Sequence, residues 1–119
     1  MLSTGVDAIE IQRIAKVYAK FGERFLRRVY TEREATRYRG RVNELAARFA
    51  AKEAVSKALG TGLNGIAWRE VEIMPDRRGK PLVYLYGRAR ERAAAIGLTE
   101  FAISLTHARE LAIAFVVAT

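Results

Sequence analysis

Four polar residues stand where chemistry is plausible, scattered over a chain of 119 residues. Asp7 follows Gly5 at the end of a short apolar opening segment, where backbone can approach a ligand closely and a carboxylate can project toward it. Glu53 and Lys57 are four residues apart in an alanine-rich stretch with helical spacing, so they lie about 40° apart around one helix. His107 ends the run Ser104-Leu105-Thr106-His107. Two carboxylates from distant parts of the chain suit Mg²⁺, a hard cation held by one or two carboxylates, waters and substrate phosphates. A lysine one turn from the second carboxylate could reach a phosphate on the same ion. Each residue also has a plain structural use. Asp7 is placed to cap a helix starting at Ala8 or Ile9, Glu53 to pair with Lys57 in the favoured order, and His107 to sit solvated in a turn.

Composition narrows the classes. The chain has the length of a single domain, residues 1–119, and half its residues are apolar. It has no cysteine, which removes disulfides, thiolate metal sites and thiol catalysis. With one histidine and no cysteine, a zinc site is not expected. No apolar run approaches the roughly 20 residues of a membrane span, and the start lacks the pattern of a secretion signal. The expectation is a cytoplasmic protein without a membrane partner. A net charge of +8 fits an acidic partner or anionic ligand, and also fits mere solubility.

The elements that must position these residues can be read from periodicity. Leu2–Asp7 reads as a strand. From Ile9, the residues Ile11, Ile14, Ala15, Tyr18, Phe21 and Phe25 recur at helical spacing, with Gly22 as a possible interruption. Thr31 and Glu34 form a capping box for a short helix ending near Gly40. A long helix runs from about Asn43 to Leu59, where Gly60 stops it. Val71–Ile73 and Leu82–Tyr86 form a hairpin around Asp76–Gly79, and Arg88–Ile96 a short helix before Gly97. Phe101, Ile103 and Leu105 mark a strand with Ser104 and Thr106 on its other side. Leu111–Ala118 is apolar on both faces and belongs in the middle of a sheet. The fold class is α+β, an antiparallel sheet packed on a long central helix.

On the first helix Arg13, Lys16, Lys20, Arg24 and Arg27 share one arc if the segment Ile9–Val29 is broadly helical, with Arg28 beside it. The aromatics Tyr18, Phe21 and Phe25 fall in the opposite, buried stripe. That arrangement lacks the stacking platform of a nucleic-acid binder, so no nucleic-acid partner is expected. It leaves a solvated face or a docking surface for an acidic protein. Arg48 lies roughly 140° from Glu53 on the long helix, so Arg48 and Lys57 do not readily serve one pocket of one subunit. Gly60-Thr61-Gly62 offers open backbone, but it follows a helix C-terminus, whose dipole disfavours anions. Its simplest use is as a C-cap.

Taken together, Gly5-Val6-Asp7, the segment from Arg48 through Lys52-Glu53-Ala54 to Gly62, and Ser104-Leu105-Thr106-His107 resemble the motifs of the holo-[acyl-carrier-protein] synthases, the trimeric type of 4′-phosphopantetheinyl transferase. The resemblance covers essentially the whole chain, with Ala8 in place of a larger aliphatic residue. It implies the transferase-like fold and transfer of 4′-phosphopantetheine from coenzyme A to a serine of apo acyl carrier protein, in support of fatty acid biosynthesis. It implies Mg²⁺ on Asp7 and Glu53, and catalysis by Asp7, Glu53 and Lys57. Coenzyme A contacts would come from Arg48, Lys57, Gly60, Gly62, Pro81, Thr106 and His107, with Pro81 in the Gly79-Lys80-Pro81 turn. The carrier would dock on Arg13, Lys20, Arg24 and Arg27. A homotrimer with sites between subunits would let Arg48 serve a neighbour's coenzyme A. The base for the serine proton is either Glu53 through a metal-bound water or water itself. Rival readings are a basic nucleic-acid module and a trimer without chemistry.

Overall fold

A computed structural model describes residues 1–119. Its centre is α4 (Val42–Ala58), whose Leu45, Ala46, Ala47, Ala50, Ala51, Ala54, Val55 and Ala58 are all buried. A helix apolar over most of its circumference must be covered on most sides. Alanines on the covered side let neighbouring backbones come close.

Strand β1 (Ser3–Glu10) lies against α4, and the approach is so tight that a Cβ on Gly5 would overlap the Ala54 carbonyl oxygen. The helices α1 (Ile11–Phe21), α2 (Glu23–Val29) and α3 (Glu32–Tyr38) follow. After α4 come the hairpin β2 (Val71–Pro75) and β3 (Pro81–Leu85), α5 (Gly87–Ala95), β4 (Phe101–His107) and β5 (Leu111–Ala118). The larger sheet is antiparallel in the order β1-β5-β4, with β5 central as its two apolar faces predict, and the hairpin forms a second sheet. This is the expected α+β arrangement.

Register decides which residues face α4. Gly5 pairs with Val116, Asp7 with Ala114 and Ile9 with Ala112, while Ile103 pairs with Val116 and His107 with Ala112. Strand alternation therefore puts Asp7 and His107 on the helix side. Val6, Phe115, Ile113, Val117, Ser104 and Thr106 take the other side, where Val6 and Phe115 are about half exposed.

Two local expectations change, and the interruption foreseen at Gly22 occurs. Strand β1 runs three residues further than predicted and α1 starts at Ile11, so Asp7 is mid-strand and caps nothing; Glu10 holds the N-cap position without a side-chain hydrogen bond. Gly22, at a positive φ of 54°, breaks the first helix in two. Phe21 then leaves the buried stripe and is 41% exposed. The capping box stands as read: Thr31 accepts from the Glu34 N–H, and Glu34 accepts from the Thr31 N–H. Glu34 is also fully buried, where it receives the Lys52 ammonium at 2.7 Å and the Ile73 N–H at 2.7 Å.

Candidate active site

The seam between β1 and α4 brings Asp7, Glu53 and Lys57 together. Lys57, in the last turn of α4, donates from Nζ to Asp7 Oδ1 at 3.1 Å and to the Val6 carbonyl at 2.9 Å. The expected plain pairing of Lys57 with Glu53 is thus replaced by a pairing with Asp7, fifty residues away in sequence. The Lys57 side chain is half exposed and that of Asp7 mostly covered. Glu53 sits half-buried. Burial raises its carboxyl pKa above the ordinary value, the Asp7 charge raises it further, and Lys57 opposes both. Two crowded carboxylates of like charge are the kind of hard oxygen donors that a divalent cation takes.

Past this centre, α4 ends with Gly60 at φ 77° and Gly62 at φ 57°. Gly60 N–H donates to the Lys57 carbonyl at 3.0 Å and Thr61 N–H to that of Ser56 at 3.3 Å, which makes this loop the helix C-cap. The side chain of Arg92 reaches it from α5, donating from Nε to the Leu59 carbonyl at 2.9 Å.

Arg48 lies nine residues before Lys57, about 13 Å back along the helix axis. It is 6% exposed, packs on the Tyr38 ring 4.2 Å from its centroid, and donates to the Tyr38 hydroxyl at 2.8 Å and to Glu44 at 3.1 Å. Its Nε is buried without a partner. His107 comes to the same end of the helix, with Nε2 4.0 Å from Glu44. The structure therefore divides the anticipated coenzyme A residues. Lys57, Gly60 and Gly62 gather at the C-terminal end of α4, Arg48 and His107 toward its N-terminal end. Thr106 points to the opposite face of the sheet from His107, and Pro81 opens β3 in the second sheet.

Sequence reasoning missed Glu44, Tyr38 and Arg92. The Glu44–Arg48 spacing of four was a visible signal; the other two contacts join distant segments and left none. It also missed Lys52, a fully buried lysine held by Glu34 and by the Trp68 and Val71 carbonyls. Burial lowers its pKa, and Glu34 opposes that shift.

The basic surface is rearranged by the break at Gly22. Phe21 lies beneath two cations, Lys20 at 5.2 Å and Arg24 at 5.8 Å from the ring centroid. Val17, Phe21, Arg24, Phe25 and Arg28 line one groove of about 240 Å³. Arg27 leaves that arc and faces a different cleft with Glu23 and Arg39. Past Gly22 the expected arc thus opens onto two clefts, with Arg24 and Arg28 lining one and Arg27 the other.

Comparison with known proteins identifies the lineage. Residues 3–116 match the family model of the 4′-phosphopantetheinyl transferase superfamily. A holo-[acyl-carrier-protein] synthase of Herpetosiphon aurantiacus is 52% identical, over 98% of each chain. The crystal structure of a holo-[acyl-carrier-protein] synthase from Neisseria meningitidis superposes with a TM-score of 0.90 at 34% identity, covering 98% of this chain and 97% of that one. A Helicobacter pylori holo-[acyl-carrier-protein] synthase in complex with coenzyme A gives 0.89 at 29% identity, over 98% and 99%. With its fold, its motifs and nearly its full length matched, the chain belongs to the 4′-phosphopantetheinyl transferase superfamily.

Proposed function

We propose that this chain is a holo-[acyl-carrier-protein] synthase. It transfers the 4′-phosphopantetheine arm of coenzyme A to a serine of apo acyl carrier protein, releases 3′,5′-ADP, and so supports fatty acid biosynthesis in the cytoplasm. The observation that carries this reading is the meeting of Asp7, Glu53 and Lys57 on the β1–α4 seam, in a chain whose relatives bear that name.

Asp7 and Glu53 would hold Mg²⁺, which when bound supplies Lewis-acid polarisation of the diphosphate. Lys57 rests on Asp7 and the Val6 carbonyl, and its exposed ammonium can turn to the transferred phosphoryl group and offset the charge that develops there. The serine proton would pass either to Glu53 through water or to water itself. Gly60 and Gly62 would leave open backbone beside the pantetheine and diphosphate; Thr106, on the sheet face turned away from α4, and Pro81, in the second sheet, would contact the nucleotide from outside this seam.

The assembly belongs to the same proposal. Arg48 and His107 stand too far along α4 to share one subunit's Lys57 site, whereas a homotrimer would bring them to a neighbour's coenzyme A. The exposed apolar face of the larger sheet, with Val6, Ile113, Phe115 and Val117, supplies a surface for subunits to meet. The carrier protein would dock on Arg13, Lys20, Arg24 and Arg28, with Phe21 as the apolar anchor between them. Complementary charge of that kind speeds encounter and weakens with salt.

Incubation with coenzyme A, Mg²⁺ and apo carrier protein, followed by chromatography of the nucleotides, tests the reading. Release of 3′,5′-ADP only when the carrier is present is expected. Coenzyme A left intact would overturn it.

A further inference from the structure

The loop that closes α4 carries an electrostatic conflict. The C-terminal end of a helix has the effect of roughly half a negative charge, and an anionic diphosphate is expected beside Gly60-Thr61-Gly62. Lys57 is near, but its ammonium is shared between Asp7, at 3.1 Å, and the role proposed for it at the transferred phosphoryl group. Another cation is needed at the helix end.

Helix α5 provides one. Its Ala89 and Ala93 are buried, and Glu70 receives the Arg88 N–H at its first turn, so the helix is anchored at its start and along its buried face. Arg92 lies in its last turn. Its Nε donates to the Leu59 carbonyl at 2.9 Å, one of the carbonyls that α4 leaves free. Its Nη2 lies 3.3 Å from the place a Cβ on Gly60 would occupy. Arg92 takes part in none of the chain's ion pairs. Its charge is therefore delivered to the helix end and the glycine loop without a carboxylate to cancel it.

We infer that Arg92 is a positioning residue for coenzyme A. It pins the α4 C-terminal loop through the Leu59 carbonyl and reverses the local potential, so that the diphosphate next to the pantetheine arm can lie against Gly60–Gly62. The inference rests on the coenzyme A reading above. Arg92 acts through the loop and through its field, and takes no part in the bond exchange.

Calorimetric titration of coenzyme A and of 3′,5′-ADP into the wild-type chain, Arg92→Gln and Arg92→Lys tests it, with thermal melts to establish that each variant is folded. Arg92→Gln should weaken coenzyme A binding about fivefold at low salt, the effect of one partly covered charge at a helix end. The loss for 3′,5′-ADP, which lacks the pantetheine-side phosphate, should be smaller. High salt should shrink the difference, Arg92→Lys should recover part of it, and the KM for coenzyme A should rise with kcat nearly unchanged. A wild-type chain that binds no coenzyme A would remove the functional reading and this inference with it. Normal wild-type binding with unchanged affinity in Arg92→Gln would overturn the inference alone. Equal, salt-independent losses for both ligands would do the same, since they would mark a purely structural cap.

Discussion

Lys57 spans from α4 to Asp7 and leaves Glu53 crowded beside a second carboxylate, and this contest of charges sets what each residue can do. Removing either carboxylate would take one hard ligand from the proposed two-carboxylate metal site. Asp7→Ala and Glu53→Ala should each lower carrier modification about a hundredfold or more, the scale of losing one preorganised electrostatic element. Melting temperatures should stay near that of the parent, because Asp7 and Glu53 lie at the rim of the core. Steady-state rates at saturating Mg²⁺ check this, and near-normal rates would contradict the assignment. The residue types were legible in the sequence, as was the shared helix face of Glu53 and Lys57. The partner of Lys57 was not, because an ion pair across fifty residues depends on the β1–α4 packing and leaves no periodic trace. The burial of Lys52 was equally invisible: its three acceptors come from α3 and the segment leading into β2.

Elements place these residues through small side chains and breaks. Gly5 lets β1 approach the α4 backbone, and a methyl group there meets the Ala54 carbonyl, which has no flexible end to yield. Gly5→Ala should therefore cost about 3 kcal/mol, the upper range for overpacking, and disturb Asp7 with it. Urea denaturation should find the loss, and unchanged stability would show that β1 can lift without penalty. Gly22 works in the opposite direction by ending α1 early, which exposes Phe21 between Lys20 and Arg24. Arg24→Glu with Arg28→Glu should lower kcat/KM for the carrier about tenfold at low salt and leave coenzyme A affinity intact, with the deficit fading as salt rises. Titrations with each ligand measure both. Unchanged carrier affinity would make this patch a solvated face. The capping box, the hairpin and the central place of β5 were readable because local chemistry dictates each. The end of β1 and the fate of Phe21 were not. Ala8 and Ile9 suit a strand as well as a helix, and a single glycine can interrupt a helix or be absorbed by it.

At the scale of the whole molecule, the larger sheet has one face sealed by α4 and the other left apolar around Val6 and Phe115. The sequence showed β5 to be apolar on both sides but could not say what covers the second face; in the proposed trimer, copies of the chain would cover it. Phe115→Glu would bury a charge between subunits. It should convert a trimer into single chains on size-exclusion chromatography and remove activity with it, because Arg48 and His107 would no longer reach a neighbour's Lys57 site. Full activity in a monomeric Phe115→Glu protein would show that one subunit suffices. The most direct measurement is the intact mass of apo acyl carrier protein after incubation with coenzyme A, Mg²⁺ and this chain. The carrier should gain the mass of one phosphopantetheine with the wild-type chain, gain far less in the same time with Glu53→Ala, and gain none when its acceptor serine is replaced by alanine. A carrier of unchanged mass after incubation with the wild-type chain would contradict the account.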